Sequence, residues 1–506
     1  MSESRTKNSI NNSITGLAFR LIGLFCPFLI RTIMIRKLGS EYIGLSQLFT
    51  SILQMLSLTE LGIGNAMVYS MYKPMAENDT DKICALLSLY RKFYTIIGLV
   101  ITGLGLLLMP FLPFLINGEH PADINIYILY VIYLFNTAIS YFMFAYKKSI
   151  LDAQQKVSIE NAIQALCSLI MYIVQIVVLL LGANYYVYII FFPVSTVAIN
   201  IIRNHIVQKK YPDYVCGGTV ERESMKEIYS KVKALIGYQI GSKVLWFADS
   251  IVISSFLGLN ALAMYSNYYY IMNAIIGIVS IVYTSIVAGI GNSIIIETEE
   301  KNYKDFMTFN FGNAWIITVC SVCLLCLYQP FMKVWMGENM MFSFGMVILF
   351  VMYFYFWLFN KIGSTYTNAA GLWKEQFWKP YVSAGINLML NIILVKTIGI
   401  AGVLLSTIVA SVFIDTSWET WAIFKYIFKR NCSKFILRLL EYIAAGCVIC
   451  VISYLLCAKI NLGVIPSLFV YGIICLLVSN VLWIILFYRT EECKSLLKKL
   501  KTALLK

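Results

Sequence analysis

Four cations sit in this sequence where cations are costly. Arg20 and Arg31 lie in AFRLIGLFCPFLIRTIMI (18–35), Lys243 in the apolar run 234–256, and Lys361 in 343–369. An arginine at the centre of a membrane helix opposes insertion by roughly 2.5–3.5 kcal/mol, and each leucine, isoleucine or phenylalanine returns only about 0.3–0.6 kcal/mol. Two arginines therefore cancel most of what the first stretch gains. In a helix Arg20 and Arg31 fall within about 20° of one face, roughly 16 Å apart along the axis, and Pro27 shares that face. The stripe of Lys243 continues through Gln239, Trp246 and Ser250, and that of Lys361 through Ser364, Thr365 and Asn368. Ionisable residues inside spans usually face a bundle interior or a hydrated path. A guanidinium binds phosphate through two parallel donors, and an ammonium adds a point charge. The chemistry implied is recognition of a phosphate or pyrophosphate headgroup whose apolar tail stays in lipid. The structural alternative is snorkelling to the interface, or pairing with Glu60, Asp249, Asp415 or Glu419.

Gln47, Gln54 and Asn267 are polar side chains in the same apolar segments. They can hydrogen-bond sugar hydroxyls, although such residues also serve as glue between membrane helices. The 13 cysteines include Cys320, Cys323 and Cys326 as CxxCxxC, and Cys447 with Cys450 as CxxC. Both clusters lie mid-span with no histidine nearby, so they read as small packing residues rather than metal ligands. His120 and His205 read as solvated. No Walker motif, catalytic constellation or soluble catalytic domain is present. The expectation is no enzyme, no cofactor and no bound metal.

The elements that must hold these residues are membrane helices. The chain is 59% hydrophobic and 13% charged, with a mean hydropathy of +0.76. Repeated apolar runs of spanning length mean a polytopic membrane protein. They fall at 14–35, 42–70, 93–116, 124–146, 158–181, 185–207, 234–256, 261–291, 310–335, 343–369, 380–398, 400–424, 436–458 and 463–488. The predicted fold is an all-α protein of about fourteen transmembrane helices. With the N-terminus inside, alternate loops collect most of the lysines and arginines, including those of 203–233 and 425–438 and of the tail from Arg489. That bias sets both termini in the cytoplasm. It also accounts for the net charge of +14 without a nucleic-acid partner. Arg36 and Lys37 run against it. The basic, amphipathic tail EECKSLLKKLKTALLK is expected on the inner leaflet, among membrane lipids.

LGSEYIGLSQ (38–47) resembles LGLNALAMYSN (257–267) in opening a second helix, and GIGN closes that helix at 62–65 and again at 289–292. The shared order pairs helices one and two with helices seven and eight. An offset of six helices implies a parallel repeat: two six-helix bundles related by a pseudo-twofold axis along the membrane normal, plus an extra helix pair. The expected organisation is a first lobe over 1–215, a second over 216–430, the extra pair over 431–490 and the tail over 491–506.

RKLGSEYIGLSQLF after helix one, TELGIGNAMVYSMY ending helix two, ADSIVISSFLG running into MYSNYYYI, and TNAAGLWKEQ after helix ten carry a family resemblance. Across about 13–486 the chain resembles the polysaccharide (O-antigen or repeat-unit) flippases. These belong to the multidrug/oligosaccharidyl-lipid/polysaccharide exporter (MOP) superfamily. The resemblance implies two six-helix lobes in a V. It implies export of undecaprenyl-pyrophosphate-linked oligosaccharide repeat units from the inner to the outer leaflet of the bacterial cytoplasmic membrane by alternating access, for O-antigen or capsule assembly. A polysaccharide polymerase and assembly proteins are then further partners. Related flippases line their cavity with basic residues, which transfers to Arg20, Arg31 and Lys243 and less directly to Lys361. Ion coupling, where the family uses it, would fall to the intramembrane acids Asp249, Glu60 and Asp415. A cation-coupled multidrug exporter of the same superfamily would want an acidic cavity. A membrane polymerase or glycosyltransferase would want a long outer loop or acidic metal-binding motifs.

Overall fold

The protein is described by a computed structural model. The described residues are 2–57, 60–118, 120–182, 184–460 and 462–504, without the side chains of 2–10, 13, 60–62, 65, 224, 227, 230–246, 288, 503 and 504. Among them the regular structure is all helical, with no strand. Close packing divides it into two compact units, Met1–Ala263 and Met264–Lys506.

The first unit opens with α1 (Ser2–Lys37), α2 (Ser40–Leu56), α3 (Glu60–Glu77), α4 (Thr80–Leu108) and α5 (Ile126–Phe142). It continues through α6 (Lys148–Ala153), α7 (Val157–Leu180), α8 (Tyr185–Lys210) and the first part of α9 (Arg222–Ile296). Along α4, Ile83, Leu86, Tyr90, Tyr94, Ile97 and Ile101 are buried, whereas Ile96, Leu99, Leu106 and Leu107 are exposed. Both faces are apolar. One packs on protein, and the other suits acyl chains rather than water.

The second unit continues α9 and adds α10 (Glu299–Trp335), α11 (Phe344–Phe359), α12 (Lys361–Ala369), α13 (Lys379–Ile398) and α14 (Ile400–Val409). Two π-helical segments, Ala410–Thr416 and Ile423–Ile427, flank α15 (Ser417–Ala422). Then come α16 (Ser433–Ala458), α17 (Val464–Phe487) and α18 (Glu491–Leu504). The α16–α17 pair packs on α10 through an aromatic core of Phe311, Tyr442, Trp483 and Phe487. Helix α18 has a protein face as well as a basic one. Cys493 is fully buried, Lys499 Nζ lies 2.6 Å from Asp305, and Arg438 Nε lies 3.6 Å from Glu492. The tail is therefore docked on α10 and α16.

Among the described residues eleven helices are long and apolar enough to cross a membrane, or twelve if the bent pair 126–142 and 145–153 is one span. The fourteen read from sequence differ in identifiable places. The run read as 42–70 divides into α2 and α3, with α2 only 17 residues long. The runs read as 234–256 and 261–291 merge into the 75 residues of α9. At about 1.5 Å per residue α9 is far too long for one span, and it is broken at Gly258 (φ 84, ψ 179).

That break falls at the second of the two matched LG turns. Gly258 and its counterpart Gly39 (φ 118) both hold a positive φ, a conformation that costs glycine little and other residues more. The two turns also touch. Ser40 Oγ lies 2.5 Å from Asn260 Oδ1, and Asn260 Nδ2 donates to Glu41 Oε1 at 3.3 Å. A Cβ on Gly44 would stand 2.3 Å from the carbonyl oxygen of Leu259. Asn117 caps the broken helix end, its Nδ2 donating to Phe256 O at 2.6 Å and its backbone N–H to Ser254 O at 3.0 Å. Gly44→Val should force these turns apart and lower stability by about 1–3 kcal/mol, the range for overpacking a tight contact. Thermal unfolding in detergent reads this, and an unchanged midpoint would show that the contact has room.

Candidate functional site

Helix α1 packs along α7 and buries Ile30 and Met34. Its exposed apolar residues Ile14, Leu17, Leu21, Phe25 and Leu29 form one stripe. At about 100° per residue, the stripe of Arg20 and Arg31 lies roughly 110° around the helix from it. The arginines thus sit between the face packed on protein and the face suited to lipid. Arg20 is exposed and Arg31 is half-buried. Arg31 Nη2 donates to Gln47 Oε1 at 3.5 Å, and Gln47 Nε2 donates to Ser51 Oγ at 3.2 Å. So Gln47, read as a sugar contact, also orients an arginine. Gln54 is exposed on α2. Asp249 is buried in α9, and Asn267 is fully buried beside Tyr268. The side chains of Lys243 and Glu60 lie outside the described residues.

The first unit holds a charge pair that sequence reading passed over. Arg203 on α8 grips Glu160 on α7 with two donors, Nε to Oε2 at 2.8 Å and Nη2 to Oε1 at 2.5 Å. Its Nη1 donates to Asn200 Oδ1 at 2.7 Å, and Gln164 Nε2 donates to Glu160 Oε1 at 2.6 Å. Glu160 is 1% exposed and Arg203 5%. Arg203 borders a cavity of about 560 Å³ with Tyr90, Tyr94, Lys148 and Asp152. Arg203 looks like one more basic residue at the end of a helix, and only the packing of α7 on α8 reveals its partner. Removing one member of such a pair leaves a buried charge uncompensated, so Arg203→Ala should cost about 3–5 kcal/mol. Melting of the purified variant checks this, and a wild-type midpoint would contradict it.

The second unit gathers the larger cluster. Lys379, at the start of α13, donates to Glu419 Oε1 on α15, and both residues are buried. Lys361 lies within electrostatic reach of Glu419, Lys379 and Asp415, its Nζ 5.0 Å over the Trp357 ring. Asn360 Nδ2 donates to the backbone oxygen of Asp415 at 3.2 Å. A Cβ on Gly363 would meet Glu419 Oε2 at 3.2 Å, so the glycine lets α12 approach the carboxylate. Glu419 Oε2 and both amide atoms of Gln376 are buried without a hydrogen bond. A polar ladder continues between α13 and α14. Asn387 Nδ2 donates to Thr407 Oγ1 at 3.0 Å, Asn391 Nδ2 to Asn387 Oδ1 at 3.2 Å, and Ser406 Oγ to Asn391.

Two ammonium groups thus face two carboxylates, with no net charge. Asp415 lies inside one π segment, and Glu419 stands between the two. Such widened turns interrupt the regular helical ladder and are frequent at functional sites. A neutral, incompletely hydrogen-bonded cluster in an apolar bundle can change its protonation or its pairing while burying little net charge. Of the residues singled out in the sequence, the fold brings Lys361 and Asp415 together here, and it brings Arg31 and Gln47 together in the first unit. Lys379 escaped notice because it stands just before the apolar run 380–398 and reads as a loop residue. The signal available was a lysine directly ahead of Pro380.

Known proteins share this architecture. The structure of the lipid II flippase MurJ in an inward closed conformation matches with a TM-score of 0.70 at 17% identity, covering 95% of this chain and 99% of that one. An inward-facing MATE-family multidrug resistance transporter of the MOP superfamily matches with a TM-score of 0.62 at 15% identity, covering 78% and 93%. A MOP superfamily transporter from Pyrococcus furiosus matches with a TM-score of 0.54 at 15% identity, covering 84% and 97%. The fold is therefore the one that these structures share. In sequence, an uncharacterized membrane protein of Methanocaldococcus jannaschii is 24% identical over 442 residues, 82% of this chain and 84% of that protein. The model of a family described as polysaccharide biosynthesis protein matches residues 9–287, more than half of the 506 residues, and the chain belongs to that family.

Proposed function

We propose that this protein is a flippase, not an enzyme, and that it carries undecaprenyl-pyrophosphate-linked oligosaccharides from the inner to the outer leaflet of a bacterial cytoplasmic membrane by alternating access. The observation that carries the reading is membership of the polysaccharide biosynthesis family in a chain whose first helix bears two arginines on one stripe. Arg20 and Arg31 receive the pyrophosphate, Arg31 held in place by Gln47. Lys243 is assigned to the same path from its place in the repeat. The apolar tail remains in lipid, so only the head needs a hydrated route.

Lys361, Lys379, Asp415 and Glu419 are assigned to coupling rather than to substrate, because their charges already balance one another. Asp249 and Glu60 remain coupling candidates as intramembrane acids. Both termini face the cytoplasm on the charge bias of the loops. The glycan reaching the outer leaflet would pass to a polymerase and its assembly partners. The reading is tested in cells depleted of the protein. The expected result is accumulation of lipid-linked oligosaccharide on the inner leaflet with loss of surface glycan, both reversed by the wild-type chain. Normal surface glycan in depleted cells with no substitute transporter would refute the assignment.

A further inference from the structure

Seven cysteines fall on three helices of the second unit: Cys320, Cys323 and Cys326 on α10, Cys447, Cys450 and Cys457 on α16, and Cys475 on α17. The two CxxC spacings carry little by themselves, because each lies along one helix with no complementary donor in sequence. Packing supplies what the spacing lacks. The Sγ atoms of Cys326, Cys457 and Cys475, one from each helix, all lie within 4.8 Å of one another. The three residues are 5%, 2% and 0% exposed. Cys323 hydrogen-bonds Cys475 at the edge of the group.

We propose that Cys326, Cys457 and Cys475 form a three-sulfur site for one soft, thiophilic metal ion, Cu(I) by its chemistry. At metal–sulfur distances of about 2.3 Å, three sulfurs arranged around one ion stand about 4 Å apart. The observed spacing needs closure of less than about 1 Å to reach that geometry. Sulfur donors select soft ions such as Cu(I) over hard ones, and neither a histidine nor a carboxylate belongs to the group. Charge separates the two best ions. Cu(I) held by two thiolates and approached by the third thiol carries one net negative charge, and the two protons displaced leave for solvent. Zn(II) in a four-thiolate shell that recruits Cys323 would carry two, at greater cost in an apolar bundle. The occupied site would tie α16 and α17 to α10, the contact that mounts the C-terminal helix pair on its unit.

The test uses the full-length protein, purified reduced and free of oxygen, and titrated with Cu(I) against a colorimetric Cu(I) chelator. The expected result is one equivalent of copper retained per chain, with a sulfur-only coordination shell by X-ray absorption. Cys475→Ser and Cys326→Ser should lose the retained copper, whereas Cys216→Ser and Cys432→Ser, outside the group, should keep it. Failure of the wild-type protein to retain copper would overturn the proposal. So would nitrogen or oxygen donors in the shell, or equal retention by the well-folded Cys326→Ser/Cys475→Ser protein. Should the serine variants fold poorly, the stoichiometry and coordination shell of the wild-type chain still decide.

Discussion

On the proposed function, cells carrying Arg31→Ala should lose glycan export while the protein still inserts and folds. Arg31 is half-buried, and its hydrogen bond to Gln47 is 3.5 Å long, so membrane-inserted, folded protein is measured beside export. The expected functional cost is large if Arg31 receives the headgroup as proposed. A charge-assisted hydrogen bond contributes about 1.5–3 kcal/mol, so losing one contact to the transported headgroup slows the carrier by roughly 10- to 150-fold. Arg20→Ala should act in the same direction. Arg31→Lys keeps the charge but loses the two-pronged geometry, so it should fall between wild type and alanine. Surface glycan measured against membrane-inserted protein reads the effect. Full export in both alanine variants would remove the arginines from their assigned role.

The second large effect belongs to the Lys379–Glu419 pair. Lys379→Met leaves Glu419 buried without its hydrogen-bonded ammonium, and Glu419→Gln takes the carboxylate charge from Lys379. Each should lower stability by about 3–5 kcal/mol. Lys379→Met/Glu419→Met replaces both charges with apolar groups of similar length and should restore most of that loss. If the cluster couples transport to an ion gradient, the refolded double variant remains inactive. Melting temperatures and gradient-driven transport separate the two roles. A double variant with wild-type transport would leave the cluster structural, and single variants of wild-type stability would deny the pair its weight.

How much of this was legible depended on whether the signal was local. The helical class, the positive-inside bias and the matched LG turns stand in the sequence, and Gly39 and Gly258 take up the left-handed backbone that such turns require. The contact of Ser40 and Gly44 with Asn260 and Leu259 was not legible, since a repeat says which segments correspond and not that they meet. The same holds for Glu160 with Arg203 and for Lys379 with Glu419. In each pair the partners are some forty residues apart, and each member alone looks like a solvated helix end or a stray intramembrane acid. Helix counts blur for a different reason. Hydropathy does not register the turn at Gly258, because Phe256, Leu257 and Leu259 beside it are apolar.

The central claim is that guanidinium groups on the first helix select an anionic lipid head for passage. Its most direct measurement is flipping in vesicles reconstituted with the purified protein, comparing a prenyl-pyrophosphate-linked oligosaccharide with the same glycan on a neutral prenyl lipid. The account predicts that the pyrophosphate lipid crosses, that the neutral lipid does not, and that Arg20→Ala/Arg31→Ala abolishes the difference. Equal passage of both lipids, or passage of the pyrophosphate lipid undiminished by that double substitution, would contradict it.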